Sequence, residues 1–212
     1  MKIIIIYDNT AFRKDLQADW GFSVLVEAEN TPKILFDTGA DGKILLNNMK
    51  KLDINPSSID EVFISHAHSD HTEGLSDFLN INKKAKIYIP PSFHYSKNKE
   101  VVIIEKPTTI HKNVFSTGEL EGVEQSMGIK TNKGIVLIVG CSHPYMGNIL
   151  ETAGQFGKLY GIIGGMHGFN NFKLFKDLEL ICPTHCTQHK NKLKKLYPQK
   201  YIEGGVGKII KL

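Results

Sequence analysis

The sequence has 212 residues, of which 41% are hydrophobic and 23% charged, and its formal net charge is +4. These values are ordinary for a soluble globular protein, so they exclude long disordered tracts and predict a single domain over residues 1–212. The positive charges lack the dense basic stripe of a nucleic-acid-binding protein, and no apolar run reaches the roughly 20 residues that cross a membrane. The three cysteines form no even disulfide framework, which favours a reduced, cytoplasmic setting.

The first half of the chain is rich in short predicted strands. Apolar runs separated by turn residues predict these strands, and the apolar spacing from Ile44 to Leu52 predicts an amphipathic helix over 42–52. A further helix is expected to begin within 72–79. The predicted strands are 3–7, 23–27, 33–36, 59–64, 86–90 and 101–104.

In the second half, from residue 134 onward, strands and helices alternate. The pattern predicts strands over 134–140, 159–163 and 180–183, and helices over 148–156, 171–178 and 188–196. Alternating elements are typical of an α/β layer. Two β-rich halves, each backed by helices, predict an α/β fold in the form of a four-layer αββα sandwich.

Four of the buried strands run into histidine. Because active sites gather at strand ends in layered α/β proteins, we expect these side chains to share one site. The pairs of strand end and histidine are Ile64 with His66, Val139 with His143, Ile163 with His167, and Ile181 with His185.

One six-residue segment, His66-Ala67-His68-Ser69-Asp70-His71, concentrates three imidazoles and a carboxylate. These donors suit Zn²⁺, Fe or Mn²⁺. We expect one metal ion to take His66 and His68, and a neighbouring ion to take Asp70 and His71. Two ions about 3.5–4 Å apart can clamp an anionic substrate, and no paired cysteines indicate a structural zinc finger here. The segment therefore predicts a catalytic metal site.

The same segment resembles the His-x-His-x-Asp-His signature of the metallo-β-lactamase superfamily. The resemblance implies the αββα sandwich, with a mononuclear or dinuclear site between its halves. Asp37, in Phe36-Asp37-Thr38-Gly39, matches an early strand-end Asp that supports the ligand loop, and a helix N-cap is the other role open to it. His185 matches the last metal-binding histidine of the superfamily.

The central strand departs from the superfamily pattern. An acid that bridges the metals commonly follows it, but residues 139–143 read Val-Gly-Cys-Ser-His. His143 is the first choice as the ligand and Cys141 the second, so we assign Cys141 a supporting position. At the place of His167 some relatives carry a proton donor, which implies a general acid, with a metal ligand as the competing role. We assign Asp70 to catalysis as well as to metal binding.

Several further segments narrow the resemblance to one branch of the superfamily. They are 124–127, 140–143, 163–167, 183–187 and 204–207. The branch is named for 7,8-dihydropterin-6-methyl-4-(β-D-ribofuranosyl)aminobenzene 5′-phosphate synthase. It implies a metal-dependent enzyme for a phosphorylated small molecule, in which an arylamine displaces diphosphate from a dihydropterin diphosphate.

Two alternatives to the synthase remain open. A phosphoester or lactone hydrolase would use the same site with metal-held hydroxide as its nucleophile, and a redox-metal or sensing protein is the third candidate. For the synthase and for the hydrolase, the implied cofactors are two divalent metal ions, and zinc is favoured over iron or manganese. The implied binding partner is a small anionic substrate, and no binding to nucleic acid or membrane is expected. Assembly into a homo-oligomer is possible.

Other aromatic and histidine residues are expected to lie outside the site. His94 and His111 are predicted at surface or loop positions, and His189 is predicted to face solvent. For Trp20, packing in the core is favoured over a place on a loop at the rim of the site.

Overall fold

The computed structural model describes residues 1–95 and 100–212, and two β-sheets form its centre. Seven of the described strands make the first sheet: β1 (Lys2–Tyr7), β2 (Ser23–Glu27), β3 (Ile34–Phe36), β4 (Glu61–Phe63), β5 (Lys86–Ile89), β6 (Val101–Ile103) and β13 (Ile209–Lys211). Their order is β13-β1-β2-β3-β4-β5-β6. Strands β3 to β6 run parallel, so their carboxyl ends lie along one edge.

Six described strands make the second sheet: β7 (Thr108–His111), β8 (Val114–Ser116), β9 (Met127–Thr131), β10 (Gly134–Val139), β11 (Leu159–Gly165) and β12 (Leu180–Thr184). Their order is β12-β11-β10-β9-β8-β7. Strands β10, β11 and β12 are parallel, whereas β7, β8, β9 and β10 pair antiparallel. The three parallel strands bring their carboxyl ends, and the loops that follow, to one place.

The helices are α1 (Gly42–Lys51), α2 (Ser69–Thr72), α3 (Leu75–Ile81), α4 (Met146–Gly154) and α5 (Lys190–Leu196). Two 3₁₀ turns cover Pro56–Ser58 and Phe172–Phe175. Asp41 starts α1, because its carboxylate accepts hydrogen bonds from the N–H groups of Lys43 and Ile44 at 2.7 and 3.1 Å. Within the described ranges, no helix has the length and apolar character needed to cross a membrane.

Three apolar clusters hold the layers together. Successive residues of β1 alternate between two of them: Ile3 and Ile5 pack between the sheets, while Ile4 and Ile6 face α1 and α3. In β10, Val136 and Ile138 likewise face the first sheet, and its other apolar residues pack under α4 and α5. A strand buried on both faces is apolar at every position, which explains the unbroken apolar runs. The predicted four-layer αββα sandwich is confirmed.

The boundaries differ from prediction in two helical segments. The helix predicted over 171–178 is wrong, since only the 3₁₀ turn Phe172–Phe175 forms there. The helix expected within 72–79 is divided into α2 and α3 at Gly74. A Cβ atom on Gly74 would lie 2.1 Å from the Thr38 carbonyl oxygen, so only glycine allows this close approach. Strands β7, β8, β9 and β13 were not among the predicted elements.

Candidate metal centre

The four predicted histidine-bearing strand ends meet where the two sheets come together. His66 follows β4, His143 follows β10, His167 follows β11, and His185 follows β12. The ring centroids of His66 and His143 are 4.8 Å apart, and those of His143 and His167 are 4.6 Å apart. Residues far apart in the sequence thus form one cluster of imidazoles.

A first set of three donors consists of His66, His68 and His143. One ring nitrogen from each lies within 4.8 Å of the others. His66 is completely buried, His143 is half-buried and His68 is exposed, so the set reaches from the interior to solvent. We call this set the first triad.

A second set, the second triad, consists of Asp70, His71 and His185. Their donor atoms also lie within 4.8 Å of one another. Nε2 of His185 is 3.2 Å from Oδ2 of Asp70, and Nε2 of His71 is 3.8 Å from the same oxygen. Burial raises the pKa of Asp70, but the neighbouring His185 and His71 lower it more, so the carboxyl pKa lies well below its ordinary value.

Cys141 lies between the two triads. Its Sγ atom is 3.2 Å from Nε2 of His71, and it lies within 4.8 Å of the donor nitrogens of both His66 and His71. Because His66 belongs to the first triad and His71 to the second, the thiol adjoins both sets. The sequence placed Cys141 in a supporting position behind His143, whereas the structure brings both residues into the cluster.

The donor set fits divalent metal ions. The Nε2 atoms of His66 and His143, two members of the first triad, are buried and have no hydrogen-bond partner. A buried polar atom without a partner costs about 1–3 kcal/mol, and converging imidazole nitrogens of this kind suit a metal ion. Burial and the facing His71 lower the pKa of His66 well below its ordinary value, and burial with His167 lowers the pKa of His143 to about 4. Both rings are therefore neutral, as ligation requires.

Asp37 supports the ligand loop through three contacts. Its Oδ1 accepts the Ser65 backbone N–H at 2.7 Å, and its Oδ2 accepts the Ser65 hydroxyl at 2.7 Å and lies 2.6 Å from Nδ1 of His71. The Ser65 hydroxyl in turn lies 2.8 Å from Nδ1 of His66. Asp37 has φ 53, so the backbone is held in a left-handed conformation to aim this carboxylate. Helix α1 is capped by Asp41, which leaves Asp37 free for the ligand loop.

His185 is held by the segment that follows β1. Its Nδ1 lies 2.9 Å from Oδ1 of Asn9, and its backbone N–H donates to the buried Asp8 carboxylate at 2.7 Å. Orienting contacts on Nδ1 leave Nε2 turned toward Asp70, as in metal sites where a partner fixes the ligand ring. The sequence contained no signal for these contacts, because Asp8 and Asn9 precede His185 by more than 170 residues.

Glu124 supports the loop that carries Cys141 and His143, although the sequence pattern did not single it out for a role. Its buried carboxylate accepts the backbone N–H groups of Gly140, Cys141, Ser142 and His143 at 2.9 to 3.1 Å. The four bonds fix the loop that carries Cys141 and His143. Only the tertiary structure brings Glu124 to this loop.

Trp20 lies at the rim of the centre, so the prediction that it packs in the core is wrong. Its side chain is 57% exposed, and its indole N–H donates to Oδ2 of Asp70 at 2.8 Å. The ring centroid is 5.2 Å from that of His185. Phe22, two residues further along the chain, is completely buried.

His167 lies beside the triads and forms a separate group with Cys141 and Cys186, whose donor atoms are within 4.8 Å of one another. His167 also lines a cavity of roughly 310 Å³ together with His143, Tyr145, Phe169 and Asn170. The side chain therefore stands between the donor cluster and an adjoining space large enough for a small molecule.

The other histidines lie outside the cluster. His94 is exposed, and Nε2 of His111 lies 2.8 Å from Oε2 of Glu61. His189 is half-buried against the Phe172 ring, so it is more covered than the sequence indicated.

A model of the metallo-beta-lactamase superfamily matches residues 20–148, which is more than half of the chain and includes His66, His68, Asp70, His71 and His143. The chain belongs to this superfamily. The predicted resemblance is thereby confirmed.

A curated relative from Methanocaldococcus jannaschii, 7,8-dihydropterin-6-methyl-4-(beta-D-ribofuranosyl)-aminobenzene-5′-phosphate synthase, is 28% identical, with 96% of this chain and 94% of the relative covered. That alignment spans 275 positions against the 212 residues of this chain, so the relative carries internal segments that this superfamily member lacks. An uncharacterized protein from the same organism is 29% identical, over 98% of this chain and 99% of its own length.

Solved structures share the fold. A metal-dependent hydrolase of the beta-lactamase superfamily superimposes with a TM-score of 0.82 at 24% identity, covering 100% of this chain and 99% of that one. Zn²⁺-bound PqqB from Methylobacterium extorquens superimposes with a TM-score of 0.71 at 10% identity, covering both chains completely. At these identities the likeness concerns the fold.

Proposed function

We propose that this superfamily member is a two-metal enzyme that acts on a phosphorylated small molecule carrying a planar ring. The observation that carries this proposal is the pair of donor triads, His66/His68/His143 and Asp70/His71/His185, side by side in one cluster. Two divalent ions held there, zinc ahead of iron or manganese, supply Lewis acidity toward the oxygens of a phosphate group.

The protein's own residues prepare this site for an anionic leaving group. Trp20 holds the Asp70 carboxylate through its indole N–H, while Asp37 and Asn9 orient His71 and His185 from behind. The side chains are thus fixed before substrate arrives, which lowers the reorganisation that the reaction requires.

The cavity next to His143 and His167 supports a small planar substrate. Tyr145 and Phe169 provide aromatic surfaces for stacking, and Asn170 and Asn171 provide amide groups for hydrogen bonds. The relative's name describes a product that joins a dihydropterin to an aminobenzene phosphate. A dihydropterin diphosphate would offer a ring system to this cavity and phosphate oxygens to the donor cluster, which supports the proposal.

In the proposed reaction an arylamine condenses with the dihydropterin diphosphate. The amine nitrogen forms a bond to the exocyclic methylene carbon, and the carbon–oxygen bond to diphosphate breaks. The amine loses a proton, and diphosphate leaves. His167, at the boundary between cluster and cavity, would take up the proton that the amine loses and pass it to the departing oxygen.

A phosphoester or lactone hydrolase is the second candidate, and the exposure of His68 favours it. The first triad reaches solvent through this residue, so water has access to the reacting centre. Water would then take the place of the arylamine as nucleophile.

The experiment is to load the purified protein with zinc, manganese or iron and measure diphosphate release from dihydropterin diphosphate, with and without 4-(β-D-ribofuranosyl)aminobenzene 5′-phosphate, the arylamine contained in the relative's name. Release that requires the amine, with formation of the coupled product, supports the synthase. Amine-independent release, or cleavage of phosphoester or lactone substrates, supports the hydrolase. Metal-loaded protein that turns over none of these substrates contradicts the proposed function.

A further inference from the structure

One sulfur atom occupies the position common to both triads. The Cys141 Sγ lies within 4.8 Å of the donor nitrogens of His66 and His71, which belong to different triads, and only 3.2 Å from Nε2 of His71. Cys186 is less well placed to contact both triads. Its Sγ forms a set of donor atoms within 4.8 Å with Cys141 and His167, and that set includes neither His66 nor His71.

The charge of the donor set calls for a second anion. Five of the six triad residues are histidines, which ligate as neutral imidazoles, and Asp70 is the single carboxylate among them. Two divalent ions carry four positive charges between them. The thiol of Cys141, once its proton is lost, would add a negative ligand at the shared position.

We propose that Cys141 binds both metal ions as a bridging thiolate. This inference rests on the proposed two-metal function and assigns the bridging position to a residue of this chain. On metal binding the Sγ–H proton passes to solvent and two metal–sulfur bonds form, so no oxidant or reductant takes part.

The surroundings of Cys141 favour a fixed ligand over a mobile side chain. The residue is 2% exposed, and its backbone N–H donates to Glu124 at 3.0 Å. Gly165 packs against it so closely that an added Cβ would lie 3.2 Å from the Cys141 Cα and 2.7 Å from the Cys186 Sγ. The backbone therefore holds the sulfur at the cluster.

Cys186 is placed to support such a thiolate. The two sulfur atoms are 3.4 Å apart, so the Cys186 thiol can donate a hydrogen bond once Cys141 has lost its proton. A hydrogen bond to the ionised form of a ligand stabilises that form. We therefore expect Cys186 to stabilise the ionised form of the bridging sulfur without itself binding a metal ion.

The experiment uses the cobalt(II)-substituted protein, because a thiolate bound to Co²⁺ gives a charge-transfer absorption in the near ultraviolet that imidazole and carboxylate ligands do not. Three single variants, C141S, C186S and C182S, separate the three cysteines. Cys182 lies within β12 in the core between the sheets and serves as the matched control. We expect the band in the wild type, C182S and C186S, and its loss in C141S.

A second variant guards against misfolding of C141S. In C141D a carboxylate replaces the thiolate, and we expect it to retain two metal ions per chain while losing the charge-transfer band. Persistence of the band in C141S, or its loss in C186S alone, would contradict the bridging thiolate. Neither result would contradict the proposed two-metal enzyme. Failure of the wild type to bind cobalt overturns the proposed function itself, and substrate enters none of these measurements.

Discussion

Oδ2 of Asp37 lies 2.6 Å from Nδ1 of His71, with both side chains completely buried. Burial lowers the pKa of His71, but the Asp37 carboxylate raises it more, so the net pKa is above its ordinary value. When the ring is neutral, this contact keeps its proton on Nδ1 and leaves Nε2 facing the cluster. The second triad therefore depends on a carboxylate that itself takes no place in the triad.

Replacement of Asp37 by Asn is expected to weaken metal binding by about 10–100-fold, because supporting carboxylates typically contribute that much to ligand orientation. Competition with a chromophoric chelator would measure the affinity. The matched control is Asp41→Asn, which alters the cap of α1 and leaves the cluster untouched. Equal affinity in D37N and wild type would contradict the supporting role.

Replacement of His68 by Ala should remove metal from the first triad and abolish turnover together. His68 is exposed, so the loss of metal is not expected to come from collapse of the core. Elemental analysis alongside an activity assay is the measurement, and His94→Ala, another exposed histidine, is the control. Full metal occupancy in H68A would rule out the ligand role.

Replacement of His167 by Ala should lower turnover by about 10²–10⁴-fold, the usual contribution of a positioned proton donor. Metal content should stay at the wild-type level, because His167 lies outside both triads. Parallel measurements of metal content and kcat distinguish the roles. If metal and turnover fall together, His167 is a ligand.

Replacement of Tyr145 by Ala should raise KM about 3- to 10-fold for a substrate with a planar ring, since one stacking contact is worth about 0.5–1.5 kcal/mol. Tyr145 is 55% exposed, so the fold should tolerate the change. KM for a phosphate ester without an aromatic ring should stay constant. A uniform effect on both substrates would argue against stacking in this cavity.

Acid should destabilise the metal-free protein. Burial lowers the pKa values of His66, His143, His167 and His185, and that of His143 falls to about 4. The unfolded chain takes up these protons near pH 6.5. The folded state therefore binds fewer protons between pH 6.5 and 4, and the free energy of unfolding decreases as the pH falls through this window.

The raised pKa values of His71, Asp8 and Glu124 oppose this trend, whereas the lowered pKa of Asp70 reinforces it. Thermal melting of chelator-treated protein from pH 7 to 4.5 is the measurement, and the Tm should fall steadily. His143→Asn should make the dependence on pH shallower. A Tm that stays constant or rises on acidification would contradict the assignment of neutral, buried imidazoles.

The sequence predicted most of the central architecture because strands buried on both faces leave unbroken apolar runs, as in β1 and β10. It also predicted the convergence of His66, His143, His167 and His185, since each follows such a strand. Strand β7 carries mostly exposed or half-buried residues and leaves no comparable pattern. β13 is three residues long and buried at one position.

The site could be predicted only as far as local patterns reach. The ligand segment around His66 lies within six residues, so its chemistry is visible in the sequence. The roles of Asn9, Trp20 and Glu124 depend on contacts with residues distant in the chain. Whether Cys141 or His143 reaches the cluster is equally a matter of tertiary structure, and both residues do.

The bonds made by Glu124 and its neighbour Gln125 connect the two halves of the centre. Glu124 holds the loop of Cys141 and His143, while Gln125 donates its backbone N–H to the Ser65 carbonyl and its side-chain amide to the Ile64 carbonyl, both at 2.9 Å. Glu124 thus fixes the loop of Cys141 and His143, and Gln125 fixes the end of the strand that leads into His66 and His68. A single peptide unit accordingly sets the position of His143 relative to His66 and His68, and the insertion of one residue at this point would pull the first triad apart while leaving every one of its residues in the chain.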